Sequence, residues 1–205
     1  MASRFSQLFA IFSLGNYPDW AGRFFPANFR DQVTAALAET TDVGTQYAQS
    51  AAGTPLMGSS AETVLGSYTI AANTIVLGSA VNIRFQGIQT AVNVVDTLEI
   101  KLRVGGLTLT GTVLMDIGPT IGAANNVFTG EMVLVSRAAP GATAPMVGIG
   151  SHAALGAVGG AVLTDKLAAT NFATNGNLLV EVTGQFSSNS AGNSCRLDIL
   201  NVVIP

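Results

Sequence analysis

Between residues 60 and 103, apolar and polar positions alternate with a period of two. Val81, Ile83 and Phe85 interleave with Asn82, Arg84 and Gln86, and Leu98, Ile100, Leu102 and Val104 interleave with Thr97, Glu99, Lys101 and Arg103. A period of two sends one set to each face of an extended strand. The pattern predicts strands over residues 62–70, 80–86 and 97–104, with a turn at residues 71–73. Strands that are apolar on one side and polar on the other suit an antiparallel sheet with one buried and one wet face.

The same reading carries through the rest of the chain. Gly105-Gly106 predicts a tight hairpin turn, followed by a strand over 107–115 and a loop over 116–126. Strands are predicted over 127–137, 145–152, 155–163, 178–186 and 195–204, with loops over 138–144 and 164–177 and a hairpin loop over 187–193. Eight or nine short strands separated by turn clusters indicate an all-β antiparallel β-sandwich. The strand number and uneven loops suit a jelly-roll-like arrangement better than an immunoglobulin domain, and no Cys…Trp…Cys pattern supports the latter.

Residues 1–60 follow a different pattern. Phe5, Leu8, Phe9 and Phe12 are spaced to share one face of a short helix, and a second helix is predicted from about Asn28 to Glu39. Thr40–Gly58 has the composition of a linker. The expected division is an N-terminal arm and linker over 1–60 and a sandwich domain over 61–205. Six of the ten phenylalanines and the only tryptophan fall in the arm: Phe5, Phe9, Phe12, Trp20, Phe24, Phe25 and Phe29. Each aromatic removes roughly 150–250 Å² from water when buried. These seven are the candidate partner-binding residues, either folded back on their own sandwich or, the favoured reading, docked on neighbouring chains.

Composition sharpens this picture. Hydrophobic residues make up 48% of the 205 residues and charged residues 10%, against about 25% charged in an average domain. So few charges favour burial of part of the surface between chains. No apolar run approaches the roughly 20 residues of a spanning helix, so no membrane partner is expected. The net charge is −3 with no basic cluster, which argues against nucleic acid. The N-terminus lacks a secretory cleavage pattern, and synthesis in a cytoplasm is expected.

No catalytic, cofactor or metal residue is assigned. His152 is the only histidine and Cys195 the only cysteine, too few for a zinc site, and both read as structural. Asp96, Glu99, Asp116, Glu131, Asp165, Glu181 and Asp198 are scattered, and nothing selects a glycosidase-like pair from them. Arg84, Lys101 and Arg103 with Glu99 read as a solvated face carrying cross-strand ion pairs.

AETVLGSYTIAANTI at 61–75, VNIRFQGI at 81–88 and DTLEIKLRVGGLTL at 96–109 together resemble a β-sandwich module of tailed-phage structural proteins. The family often carries a proline before alanine in the first turn, where this chain has Ala71-Ala72-Asn73. The resemblance implies a virion component without catalytic residues. With the arm, the layout is similar to capsid decoration (cement) proteins. It implies a homotrimer on the capsid surface, bound to the major capsid protein and stabilising the head shell. The alternative is a tail or head fibre or adaptor protein, with loops 116–126 or 187–193 meeting host-surface glycans.

Overall fold

A computed structural model describes residues 46–49, 51–91, 96–121, 126–155 and 163–204. Every regular element among them is a strand: β1 (Gln46–Ala48), β2 (Leu56–Met57), β3 (Thr63–Ile70), β4 (Ala80–Ala91), β5 (Thr97–Gly105), β6 (Thr112–Ile121), β7 (Asn126–Ser136), β8 (Ala144–Leu155), β9 (Leu163–Phe172), β10 (Leu178–Phe186) and β11 (Ser194–Val203). They form a seven-stranded sheet in the order β1-β11-β4-β7-β8-β9, with β2 also on β11, and a four-stranded sheet in the order β3-β10-β5-β6. Every pairing is antiparallel. The expected all-β antiparallel class is what is found. The helices expected in residues 1–45 lie outside the described residues.

β5–β6 is a hairpin and β7–β8–β9 a meander, while the steps β3→β4, β4→β5, β6→β7, β9→β10 and β10→β11 pass from one sheet to the other. Alternation explains why the sheets stack. On the larger sheet the inward set includes Val81, Ile83 and Phe85 of β4, Phe128, Met132 and Leu134 of β7, and Leu197, Leu200 and Val202 of β11. On the smaller sheet it includes Leu98, Ile100, Leu102 and Val104 of β5 and Leu178, Val180, Val182 and Phe186 of β10. Each such side chain contributes about 1.5–3 kcal/mol on burial. A β-bulge between Leu197 and Ile199 shifts the phase of β11, so that Leu197 and Leu200 both reach the core. At one edge Tyr47 of β1 stacks on Tyr68 of β3, with centroids 4.7 Å apart and planes 17° from parallel, which joins the two sheets there.

Several local expectations are corrected. Gly105-Gly106 is not a two-residue turn: the β5–β6 connection spans 106–111, and Leu109 takes φ 60° within it. β6 therefore starts at Thr112 and continues through Asp116 to Ile121, where a loop was expected. The strand expected to end at Leu163 instead begins there, and β9 fills part of the expected 164–177 loop. β9 is an edge strand with few buried positions, so its composition of Thr, Asp, Asn and Ala carries little alternation. Residues 187–193 are a crossover rather than a hairpin, because β10 and β11 belong to different sheets. Within the expected linker, β1 and β2 both pair with β11.

Candidate functional site

The densest set of interacting charges lies on the outer face of the smaller sheet. β5 turns Glu99, Lys101 and Arg103 outward, opposite Gln185, Thr183 and Glu181 of β10. Arg103 Nε donates to Glu62 Oε1 at 2.6 Å and Nη2 donates to Glu62 Oε2 at 2.8 Å, a two-point contact. Arg103 Nη1 also donates to the Gly111 carbonyl at 3.0 Å, and Thr183 Oγ1 donates to Glu62 Oε1 at 2.5 Å. Arg103 therefore ties the segment entering β3 and the β5–β6 connection to one face. Its guanidinium, followed by the Thr183 hydroxyl, holds the Glu62 carboxyl below the usual range against the opposing effect of burial. Glu62 in turn raises Arg103. Glu181 is buried beneath the same connection and accepts a 2.9 Å bond from the Leu109 amide.

Beside this cluster, Lys101 Nζ lies 2.7 Å from Glu99 Oε2, which raises the lysine. Asp116 of β6, opposite Lys101, is held above its usual range, first by partial burial and then by Glu99, with Lys101 opposing. The expected set of cross-strand ion pairs is found only in part: Lys101 pairs with Glu99 of its own strand, and Arg103 with Glu62 just before β3. Arg84 lies on β4 of the other sheet, away from Lys101 and Arg103. Glu62 takes the place beside Arg103; it stands just before β3, outside the alternation that singled out Lys101, Arg103 and Glu99.

The remaining candidates serve the fold. His152 faces inward on β8, and its Nδ1 lies 2.5 Å from Asp165 Oδ2 of β9. An inward carboxylate on an edge strand discourages pairing with a foreign strand, and here it also fastens β9 to its neighbour. Asp96 accepts from Asn193 Nδ2 at 2.9 Å, and Asp198 from Arg196 Nε at 2.7 Å. Cys195 is buried, and burial pushes its thiol up to about 12. Among the described residues no cluster of three or more His, Cys, Asp or Glu is arranged to hold a metal. One small cleft between the sheets is lined by Gln89, Leu98, Ile100, Ile117, Asn126, Val127 and Phe128.

The partner-binding candidates Phe5, Phe9, Phe12, Trp20, Phe24, Phe25 and Phe29 lie outside the described residues. Of the two loops expected to face glycans, 116–121 belongs to β6, and 187–193 is pinned by bonds such as Ser60 N to Asn189 Oδ1 at 2.7 Å. Composition did not reveal which apolar side chains remain outside. Met57 is 61% exposed, Leu77 65%, Leu107 71%, Ile149 61% and Leu163 55%.

No protein-family profile matches the chain, and no curated protein sequence matches it. Two solved structures show a likeness, those of the infectious bursal disease virus Gt and Gx strains. Each covers 78% of this chain at 13% identity, with TM-scores of 0.27 and 0.29 respectively. This chain spans 31% and 41% of the length of those two chains.

Proposed function

We propose that this protein is a structural component of a virus particle and, more narrowly, a decoration protein that cements a phage head shell. The observation that carries the proposal is the set of large apolar side chains left in solvent on a sandwich of low charge, with Met57, Leu77, Leu107, Ile149 and Leu163 each more than half exposed. A free monomer gains nothing from them, whereas a shell protein that spends its life in contact with neighbours buries them. In this reading the sandwich is a platform. The seven candidate side chains of the N-terminal arm, Phe5, Phe9, Phe12, Trp20, Phe24, Phe25 and Phe29, bind between copies of the major capsid protein on the outer surface of the shell. The role is one of binding, with no catalytic step. Homotrimer grouping comes from the family resemblance.

Deleting residues 1–40 tests the arm. Loss of binding to isolated shells, with the β-sheet circular dichroism spectrum kept, is expected; retained shell binding overturns the arm's role.

A further inference from the structure

The outer face of the larger sheet has a composition that its exposure does not explain. The smaller sheet turns Glu99, Lys101, Arg103, Glu181, Thr183 and Gln185 to its outer face, a polar set although Glu181 and Thr183 are buried there. The ladder register of the larger sheet lays out four rows running from β11 through β4 and β7 to β8. One reads Val203, Asn82, Val133, Ile149, and the next Asn201, Arg84, Glu131, Ser151. The third reads Ile199, Gln86, Thr129, Ala153, and the fourth begins Arg196, Ile88, Val127. Ile149 is 61% and Ile199 43% exposed. Arg84 and Glu131 are exposed and directly opposite on adjacent strands, yet neither enters an ion pair among the described residues.

We propose that this face, centred on Arg84 and Glu131, is a two-fold interface that binds the same face of a second copy of this chain. The argument is complementarity under one operation. A two-fold axis running along the strands between β4 and β7 places each β4 residue over the β7 residue of its own row in the other copy, and each β11 residue over its β8 counterpart. Arg84 then meets Glu131 of the second copy, twice. Val203 meets Ile149, and Ile88 meets Val127. Asn201 meets Ser151 and Gln86 meets Thr129. Most positions match in kind, with Arg84 over Glu131; the exceptions are Asn82 over Val133, Arg196 over position 155, and Ile199 over the already buried Ala153. An isologous contact requires this kind of self-complementary patch. Aligned sheets packing face to face about 10 Å apart provide the geometry. Two reciprocal ion pairs, shielded by valine and isoleucine, supply register and discriminate against other partners. The contact goes beyond the particle reading and stands without it. It is a pair, distinct from the threefold grouping that the family resemblance implies.

Sedimentation of the full chain across a concentration series tests the proposal, together with the variants Arg84→Glu and Arg84→Glu/Glu131→Arg. The native chain is expected to dimerise. Arg84→Glu should weaken association about tenfold or more, and the double exchange should restore it. A second measurement does not depend on those variants folding. Residues 149 and 203 lie three strand spacings apart within one chain, about 14 Å, whereas across the proposed contact they face each other over the roughly 10 Å between packed sheets. A chain carrying both Ile149→Cys and Val203→Cys should therefore form a covalent dimer with a bifunctional thiol reagent that spans about 10 Å but not about 14 Å, with neither single variant forming the 149–203 link. A native chain that stays monomeric, association unaffected by Arg84→Glu, or a double-cysteine chain that gives no 149–203 cross-link between copies would each overturn the proposal.

Discussion

Phe85 and Gly130 stand opposite one another on the β4–β7 ladder, and the ring of Phe85 fills the space that a Cβ at position 130 would need. The arrangement is reciprocal two positions along, where Gly87 faces Phe128 and a Cβ at 87 would overlap that ring. Each strand supplies one ring and one gap. Met115 Sδ from the smaller sheet also closes on Gly130, 2.7 Å from the position of its missing Cβ. Gly130→Ala should therefore cost about 1–3 kcal/mol through overpacking, with each kcal/mol worth about 2–4 °C of melting temperature in a chain of this size. Combining it with Phe85→Leu should give a smaller loss than the sum of the two single losses, by at least about 0.5 kcal/mol. Thermal melts of the four proteins in the cycle check this, and additive losses would count against the pairing.

Arg103 and Glu62 give the smaller sheet an acid-sensitive fastening. The Glu62 carboxyl is held below its ordinary range in the folded protein. Its contribution is thus fully present above the unfolded glutamate range and is lost as pH falls through the lowered folded value. Glu62→Gln should destabilise the protein by about 1–2 kcal/mol at pH 7. The gap to the native protein should close as pH falls below about 4. Denaturant midpoints at pH 7, 5 and 3 measure it; a constant gap would contradict the pairing.

Asp116 works in the opposite direction. Its carboxyl is raised in the folded state, so ionisation opposes folding at neutral pH, and the penalty disappears as pH falls from the folded value to the unfolded one. Asp116→Asn should stabilise the protein slightly at pH 7, by at most about 0.5 kcal/mol at so exposed a position. The gain should fade in acid. Melting temperatures of the two proteins at pH 7 and pH 3 decide it, and a loss of stability at pH 7 would contradict the assignment.

Cys195 reports global opening. Its thiol is buried in the core and pushed up to about 12, so the reactive thiolate is scarce at neutral pH. Labelling by an aromatic disulfide reagent should be negligible in the native protein and complete in denaturant. Rapid native labelling would show that β11 opens locally.

Much of the smaller sheet was readable in the sequence, because β5 alternates without interruption and β10 keeps its inward set in phase. Reading failed where tertiary context decided the outcome. β9 needs only one partner and buries few side chains, so it reads as loop. β6 begins after a connection in which Leu109 adopts a positive φ, a conformation that leucine composition does not signal. Ile199 lies outside and Leu200 inside because of the bulge in β11, and a bulge resets the period without marking the sequence. Of the site, Lys101, Arg103 and Glu99 were legible from alternation. Glu62 and the pairing of His152 with Asp165 were not, since they join positions brought together only by the fold.

The central proposal, that the protein is built into a shell, is tested most directly by its copy number in particles purified from cells that produce it. Quantitative gel densitometry or mass spectrometry against the major capsid protein provides that number. The account predicts hundreds of copies per particle, in fixed ratio to the shell protein. A handful to a few dozen copies, or none, would contradict it.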